Sequence, residues 1–600
     1  MEQTISQNWN LESLYAGGSQ SEKLKELMTQ LANRIILLTK EIQIFNAANT
    51  KKELQHLVGI LQDTQNVLSW WEEVDDFLIC IYAQNVKDTE VMILMDESAV
   101  IKSELTTIQS EVDRTLASLS EEAWIDLLSQ NKVENYSFYI KERRQAVKDQ
   151  LPLELEKMIN VLSVNGFDGW EKHHDQMLTR LRIPLEIDGE KKEVSIGQAL
   201  NQAIYSTERT LRQNAANAIK DVCEKNADVF ASVLNRIVGF RLDVYQQRGW
   251  QNLLKEALEQ NRIKEETVHT MISAINQKKD LLRAYIQRKI ELEQLDRPTW
   301  NDLEFPSFAT TKKISYENAV EIIIKQFHNF SEKAGSFAKK AFEAGWIEAE
   351  NRPDKAEGGF CASLPIAKES RIFLTFRENY QDVITIAHEL GHAYHNNILH
   401  EEPTFAQKKG TSVAETASTF MENLVLDAVI NQTTDEKEKL ALLELKISNG
   451  LKYIGTVPNM FQFELELYEK RKKGVLTAEE INNLMAEAEK DLYEGLIEEL
   501  NVYMWMYISH FYDTEKAFYN IPYTIGYLFS NGIYALAKSK GNEFTEQYDE
   551  LLRNSGRMSV EQLAHEYLEQ DLTKTEFWEA ALQPLTETIE EYLNMTEKLL

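Results

Sequence analysis

Residues 381–397 read QDVITIAHELGHAYHNN, and the fold and chemistry of the chain turn on this stretch. Val383, Ile386, Ala387 and Leu390 recur at the i, i+3, i+4, i+7 spacing of one buried helical stripe. His388, His392 and His395 fall on the other side of that helix. Residues four apart lie about 40° apart around a helix axis, so the imidazoles of His388 and His392 can face one cation. Glu389 sits one step round, able to reach water beside the cation without binding the cation itself. The pattern His388-Glu389-Leu390-Gly391-His392 is therefore an HExxH, the arrangement that a zinc hydrolase needs. Two histidines on a solvated face are the bland alternative, and the apolar stripe behind them argues against it.

A catalytic zinc site takes three protein ligands and leaves a fourth position for water. His395 lies seven residues beyond His388, about 10 Å along the axis at 1.5 Å per residue, too far to join the pair. It suits a supporting or cleft role. An HExxHxxGxxH pattern is excluded, because position 395 is His and position 398 is Ile. A carboxylate remains. Glu401 and Glu402 stand beside Pro403 in a loop, whereas Glu415 lies in GTSVAETASTFMENL, which opens a helix able to pack across the first. Ser412 and Glu415 also fit a capping box, in which Glu415 would bond back to the helix start. Glu422 shares the face of Glu415 and could orient a ligand from behind.

The rest of the chain agrees with a large helical protein. It has 600 residues, 65 of them basic and 96 acidic, for a formal net charge of −31. Such a surface repels phosphate backbones and excludes a nucleic-acid binder. The same charge could draw cationic peptides into a cleft, but a plain acidic surface is the simpler reading. Apolar residues at 43% and aromatics at 10% are enough for a substantial core. Glycine and proline, 23 and 10, reach only about half their usual share, so the class is mainly α. Cys80, Cys223 and Cys361 are too few and too scattered for a disulfide framework, which suits a reducing compartment. No signal peptide opens the sequence and no run of about 18 apolar residues interrupts it, so a cytoplasmic chain with no membrane partner is expected.

Amphipathic helices are expected from about 20 to 180, with Trp70, Trp71 and Trp124 as core anchors. The segment LRIPLEIDGEKKEVSIG, 181–197, alternates apolar and polar residues around Asp188-Gly189 and predicts a β-hairpin. It suggests two domains: 1–195, helical and ending in the hairpin, and 196–600, carrying the HExxH. Irregular stretches are expected at 296–312, at 351–365, near Pro458 and over 513–527, with one strand at Arg371–Phe376. Gly358-Gly359-Phe360, just ahead of that strand, reads either as a turn or as backbone able to pair with an extended peptide.

Three segments together resemble the oligoendopeptidase F branch of the thimet-oligopeptidase-like zinc metallopeptidases. They are HELGHAYH at 388–395, ETASTFME at 415–422, and HFYDTEKAFYNIPYTIGYLFS at 510–530. The resemblance implies a mainly α, clam-like fold with a deep central cleft and a small β element beside the HExxH helix. It implies one zinc ion held by His388, His392 and Glu415, with Glu389 as general base. His510, Tyr523 and Tyr527 would serve substrate binding and oxyanion stabilisation, Tyr527 in its Gly-Tyr-Leu context matching best. The implied function is a zinc metalloendopeptidase acting on short unfolded peptides. A zinc carboxypeptidase trimming C-termini is the competing enzyme. A peptide-binding protein with structural zinc is disfavoured, because structural sites are closed by four protein ligands.

Overall fold

The computed structural model describes residues 5–45, 50–187, 189–310, 312–493 and 495–600. Helices dominate it, as the composition demands, and their starts are written locally. The Ser21 side chain accepts the Leu24 N–H, Thr50 and Glu53 cap one another reciprocally, and Asp88 accepts from Glu90 and Val91. No described helix is long and apolar enough to cross a membrane.

The chain packs as two units, each assembled from three separated segments. The first unit takes residues 1–149, 311–432 and 533–571. Its helices Glu22–Ile44, Lys51–Gln84 and Thr89–Ser118 bury apolar stripes in two clusters, one around Leu57, Leu61 and Trp124, the other around Phe77, Leu364 and Phe373. Trp124 is buried in the core, whereas Trp70 and Trp71 pack against it only partly buried. A small three-stranded sheet runs in the order Ile347–Glu348, Glu369–Phe373, Phe360–Leu364. The central strand is parallel to the first and antiparallel to the last. The β element extends the expectation: the strand predicted at Arg371–Phe376 is Glu369–Phe373, and a second strand lies inside the stretch expected to be irregular. Phe360–Leu364 is an edge strand, and one end is capped by the helix Lys51–Gln84. Ser363 N–H donates to Asp76 at 2.7 Å, and Ile366 N–H to Glu73 at 3.0 Å. Burial pushes the Asp76 carboxyl up to about 7 despite that hydrogen bond.

The second unit takes residues 150–310, 433–532 and 572–600. It contains the hairpin, Ile183–Ile187 with Glu190–Val194, in which Ile183 faces Val194 and Ile187 faces Glu190. Gly189 adopts φ +77°, a conformation glycine takes without strain; Asp188, predicted as its turn partner, lies outside the described residues. Position 195/196, the expected domain boundary, falls inside this unit. The irregular stretch expected near Pro458 is helical instead: a π-helical turn, Lys452–Thr456, feeds the helix Val457–Arg471. Pro458 is the second residue of that helix and follows directly on the π-helical turn, so the chain stays helical from Glu436 to Arg471.

Candidate metal centre and the tyrosine segment

The HExxH helix spans Tyr380–Leu399 and lies in the first unit. Asn379 caps its start, accepting the Asp382 N–H at 2.9 Å. Val383, Ile386, Ala387 and Leu390 are fully buried, as the spacing predicts. The positions left partly open, Thr385, His388, His392 and Asn396, follow one another at three- or four-residue steps and form the accessible stripe.

Across from this stripe lies the helix Thr416–Gln432. Gly391 governs the approach: a Cβ there would sit 2.5 Å from Ala417 O and 2.6 Å from Ser418 Cα. Only glycine permits such backbone contact, and it brings Glu415, just ahead of that helix, onto the histidine pair. Glu415 Oε2 lies 3.3 Å from His388 Nε2 and 3.3 Å from His392 Nε2. The imidazole rings are 4.9 Å apart and nearly perpendicular. Ser418 Oγ donates to the same Glu415 Oε2 at 2.7 Å, which fixes the rotamer. Glu415 Oε2 is thus committed to the histidine pair. Behind His388, Nδ1 meets Glu422 Oε2 at 3.2 Å, so Glu422 orients that ring.

Burial alone would lower the pKa of His388, but hydrogen bonds to Glu415 and Glu422 reverse this and raise it to about 10. Burial would likewise raise Glu415, yet the two imidazoles hold its carboxyl well below the usual range. Glu389 is buried one residue round, and desolvation raises its pKa against the pull of His392 and His388. The backbone of Gly359 passes beside it: a Cβ at Gly359 would lie 3.6 Å from Glu389 Oε1.

Among the described residues this is the one group of three donors placed to hold a metal, with all three ligand atoms within 4.8 Å of one another. Zinc–nitrogen and zinc–oxygen bonds of about 2.0–2.1 Å make tetrahedral ligand separations of about 3.3–3.4 Å, which both imidazole–carboxylate distances match. Two imidazoles and one carboxylate also fit zinc chemically.

The other candidates are engaged elsewhere. His395 does not line a cleft; it is fully buried, with Nε2 2.8 Å from Ser555 Oγ and 3.2 Å from Leu552 O. Its neighbour Tyr394 donates to Asp549 at 2.6 Å, so this end of the helix is anchored to residues 549–555. Glu401 pairs with Lys368, and Glu402 with Arg553 and Arg557.

In the second unit, His510 sits in the short 3-10 turn Ser509–Tyr512, with Nδ1 2.8 Å from Asn520 Oδ1. Tyr523 stacks on its ring at 5.6 Å and Tyr519 meets it edge-on at 4.9 Å. Tyr523 and Tyr527 were expected on a loop; they lie on the first turns of the helix Ile521–Lys540, which Pro522 permits because it falls in the first turn. Tyr527 is separate from the His510 cluster and stacks on Tyr453 at 4.7 Å. Tyr453, on the π-helical turn, and Gly450, where a Cβ would lie 2.9 Å from Tyr527 Oη, carried no local sequence signal. Two buried side chains hold the loop ahead of the tyrosines. Glu464 accepts the Phe518 N–H at 3.1 Å, and Arg241 donates to the carbonyls of Asp513 and Thr514 at 3.1 and 3.0 Å. Phe518 itself is held at φ +54°.

A mainly helical chain in which an HExxH helix meets a carboxylate at the head of the next helix has the build of a metallopeptidase. The sequence profile of peptidase family M3 matches residues 202–584, and the chain belongs to that family, a family of peptide-bond hydrolases. The profile described as Oligopeptidase F matches residues 116–183. Oligopeptidase PepF of Bacillus subtilis (strain 168) is 25% identical over 421 residues, which cover 69% of this chain and 61% of that protein. An oligoendopeptidase F homolog of Lactococcus lactis subsp. lactis is 21% identical over 572 residues, 94% of each chain. In fold, the chain is similar to a putative peptidase from Chlamydophila abortus, with a TM-score of 0.84, 18% identity and 99% of each chain covered. It is also similar to oligoendopeptidase-F from Enterococcus faecium, with a TM-score of 0.71, 17% identity, and coverage of 96% of this chain and 99% of that one.

Proposed function

We propose that the chain is a zinc-dependent oligoendopeptidase that hydrolyses internal bonds of short unfolded peptides. The reading rests on one observation: His388 Nε2, His392 Nε2 and Glu415 Oε2 converge beside the buried carboxylate of Glu389. His388, His392 and Glu415 would hold the zinc ion, leaving one position free, and Glu422 steadies the first of them. When bound, the cation supplies a Lewis acid that polarises the scissile carbonyl and acidifies water. Glu389 takes the proton from the attacking water and returns it to the departing amine. Its raised affinity for protons suits a base that must accept one and then release it as an acid. His510, Tyr523 and Tyr527 donate hydrogen bonds to substrate and to the oxygen on which charge develops. The three cysteines are unpaired, which supports a reducing, cytoplasmic setting.

A chelator and mass-spectrometry experiment tests the reading. Incubated with an eight- to twelve-residue peptide, the zinc-loaded protein should yield internal fragments, lose that activity to a chelator and regain it with zinc. Single residues released stepwise from the C-terminus would point to a carboxypeptidase instead. Full activity after verified removal of metal would overturn the assignment.

A further inference from the structure

The second unit holds a cavity of about 740 Å³ within its own walls, and the reading above makes no use of it. Three helices line it, Glu265–Asn276, Val457–Arg471 and Ala478–Tyr493, together with the π-helical turn Lys452–Thr456. Pockets of about 300–1,000 Å³ suit small organic ligands. Ile275, Ile454, Phe461 and Leu484, all buried, give it apolar walls. Its charges are paired or lie in solvent: Lys279 with Asp491, Glu487 with Lys490, and Glu466 and Lys470 exposed. One polar group inside is unmatched. Asn459 lines the cavity at 7% exposure, and among the described residues its side chain makes no hydrogen bond. Asn235, Asn261 and Asn301, buried as deeply in the same unit, each donate to a carbonyl oxygen. A carboxamide carries two donors and an acceptor, and leaving them unmade against apolar walls is costly.

The cavity also touches the element that holds Tyr527. Ile454 and Gly455 of the π-helical turn line it, and a Cβ at Gly455 would lie 3.2 Å from Leu492, another lining residue. Tyr453, the residue before them, stacks on Tyr527 at 4.7 Å, and its carbonyl accepts the Thr524 hydroxyl. A second space of about 40 Å³ borders Lys452, Thr456 and Leu492, so the turn has room to shift. Turns of this kind inside helices often accompany functional sites, because their hydrogen bonding can readjust.

We propose that this cavity is a regulatory site for a neutral, amide-bearing apolar ligand, the chemistry of a short stretch of apolar peptide, and that its occupancy is felt at Tyr527 through the π-helical turn. Asn459 pairs with the ligand's amide while the apolar walls take its side chain. The regulatory half rests on the oxyanion role proposed for Tyr527; the site itself does not.

The probe is N-acetyl-leucine N-methylamide, a leucine side chain between two peptide groups. Its binding to the zinc-loaded protein is followed by calorimetry up to millimolar concentration. Asn459→Leu should weaken binding about 10-fold, through the lost amide contacts. Ile272→Trp, which fills the cavity from its lining, should abolish binding, and it carries the test should the Asn459 variant fold poorly. Absence of binding to wild type, or equal binding to all three proteins, overturns the site. For the coupling, the chain is labelled with 3-fluorotyrosine, and Tyr453→Phe and Tyr527→Phe assign the two resonances. Saturating probe should shift both in wild type and neither in Ile272→Trp; binding that leaves them unmoved overturns the regulatory role. On a peptide substrate the probe should change kcat and leave KM alone, whereas a rise in KM alone would mean competition at the metal centre and would also overturn it. Binding and shifted resonances in a protein that hydrolyses no peptide would sink the peptidase reading and leave the site standing.

Discussion

Gly391→Ala offers the sharpest probe of how the metal centre is built. Alanine normally improves a helix interior, by about 1 kcal/mol over glycine. At position 391 the added methyl would meet Ala417 O at 2.5 Å and Ser418 Cα at 2.6 Å, and backbone atoms cannot swing aside. Relief to an ordinary 3.4 Å contact requires the two helices to part by 0.9 Å. Overpacking of this kind costs about 1–3 kcal/mol. Gly59→Ala is the control, because Gly59 is also helical and nothing lies within 4 Å of its would-be Cβ. The propensity gain is common to both variants, so Gly391→Ala should fall below Gly59→Ala by the whole overpacking term, read from urea midpoints. The same 0.9 Å would part Glu415 from the imidazoles it now meets at 3.3 Å. A misplacement near 1 Å costs about 10²-fold in rate, so zinc affinity by chelator competition and kcat/KM on a peptide should both drop. Equal stability of the two variants, with zinc affinity unchanged at Gly391→Ala, would refute the idea that this close approach sets the site.

Glu389→Gln should retain zinc while losing about 10²–10⁴-fold in kcat, as metal analysis beside steady-state kinetics will show; a metal-replete, active variant would remove Glu389 from its role. Tyr527→Phe should cost about 10²–10³-fold in kcat with little change in KM, and a near-normal rate, set against Tyr523→Phe, would move the oxyanion role to Tyr523. Burial pushes the carboxyl of Glu464 up to about 8 from 4.5, although Phe518 N–H and Arg241 both oppose this. The fold therefore favours the protonated form. Its contribution is complete below about pH 4.5 and is lost as pH rises through about 8, so wild type should lose stability relative to Glu464→Gln by an amount on the order of a few kcal/mol across that window. The amide adds a constant offset, so the slope is the readout, and a pH-independent difference in urea midpoints would contradict the assignment.

The HExxH helix was legible because its signals are local and agree. The stripe from Val383 to Leu390 and the spacing of the histidines lie within about three turns of one helix. Glu415 was only half legible, since its offset from Ser412 suits a capping box equally well and the choice is made by packing at Gly391. The strand Phe360–Leu364 was hidden by the glycines ahead of it and the proline after it, and its stability comes from partners distant in sequence, Asp76 and the strand Glu369–Phe373. Pro458 and Pro522 suggested breaks, but Pro522 falls in a helix's first turn and Pro458 follows a π-helical turn inside a continuous helical run. The fate of His395 depends on Ser555, and no local window contains that pairing. The division into two units of three segments each is likewise invisible to periodicity.

That last arrangement has a consequence for synthesis. The helix that carries His388 and His392 also carries Tyr394 and His395 in its C-terminal half, and their partners Asp549 and Ser555 follow 155 and 160 residues later. At translation rates of about 5–20 residues per second, this helix waits roughly 8–30 s on the ribosome before its buried polar groups can be matched. A chain stopped short of residue 549 would contain the full HExxH yet leave an imidazole and a phenol unmatched in an apolar interior, a ready mark for quality control.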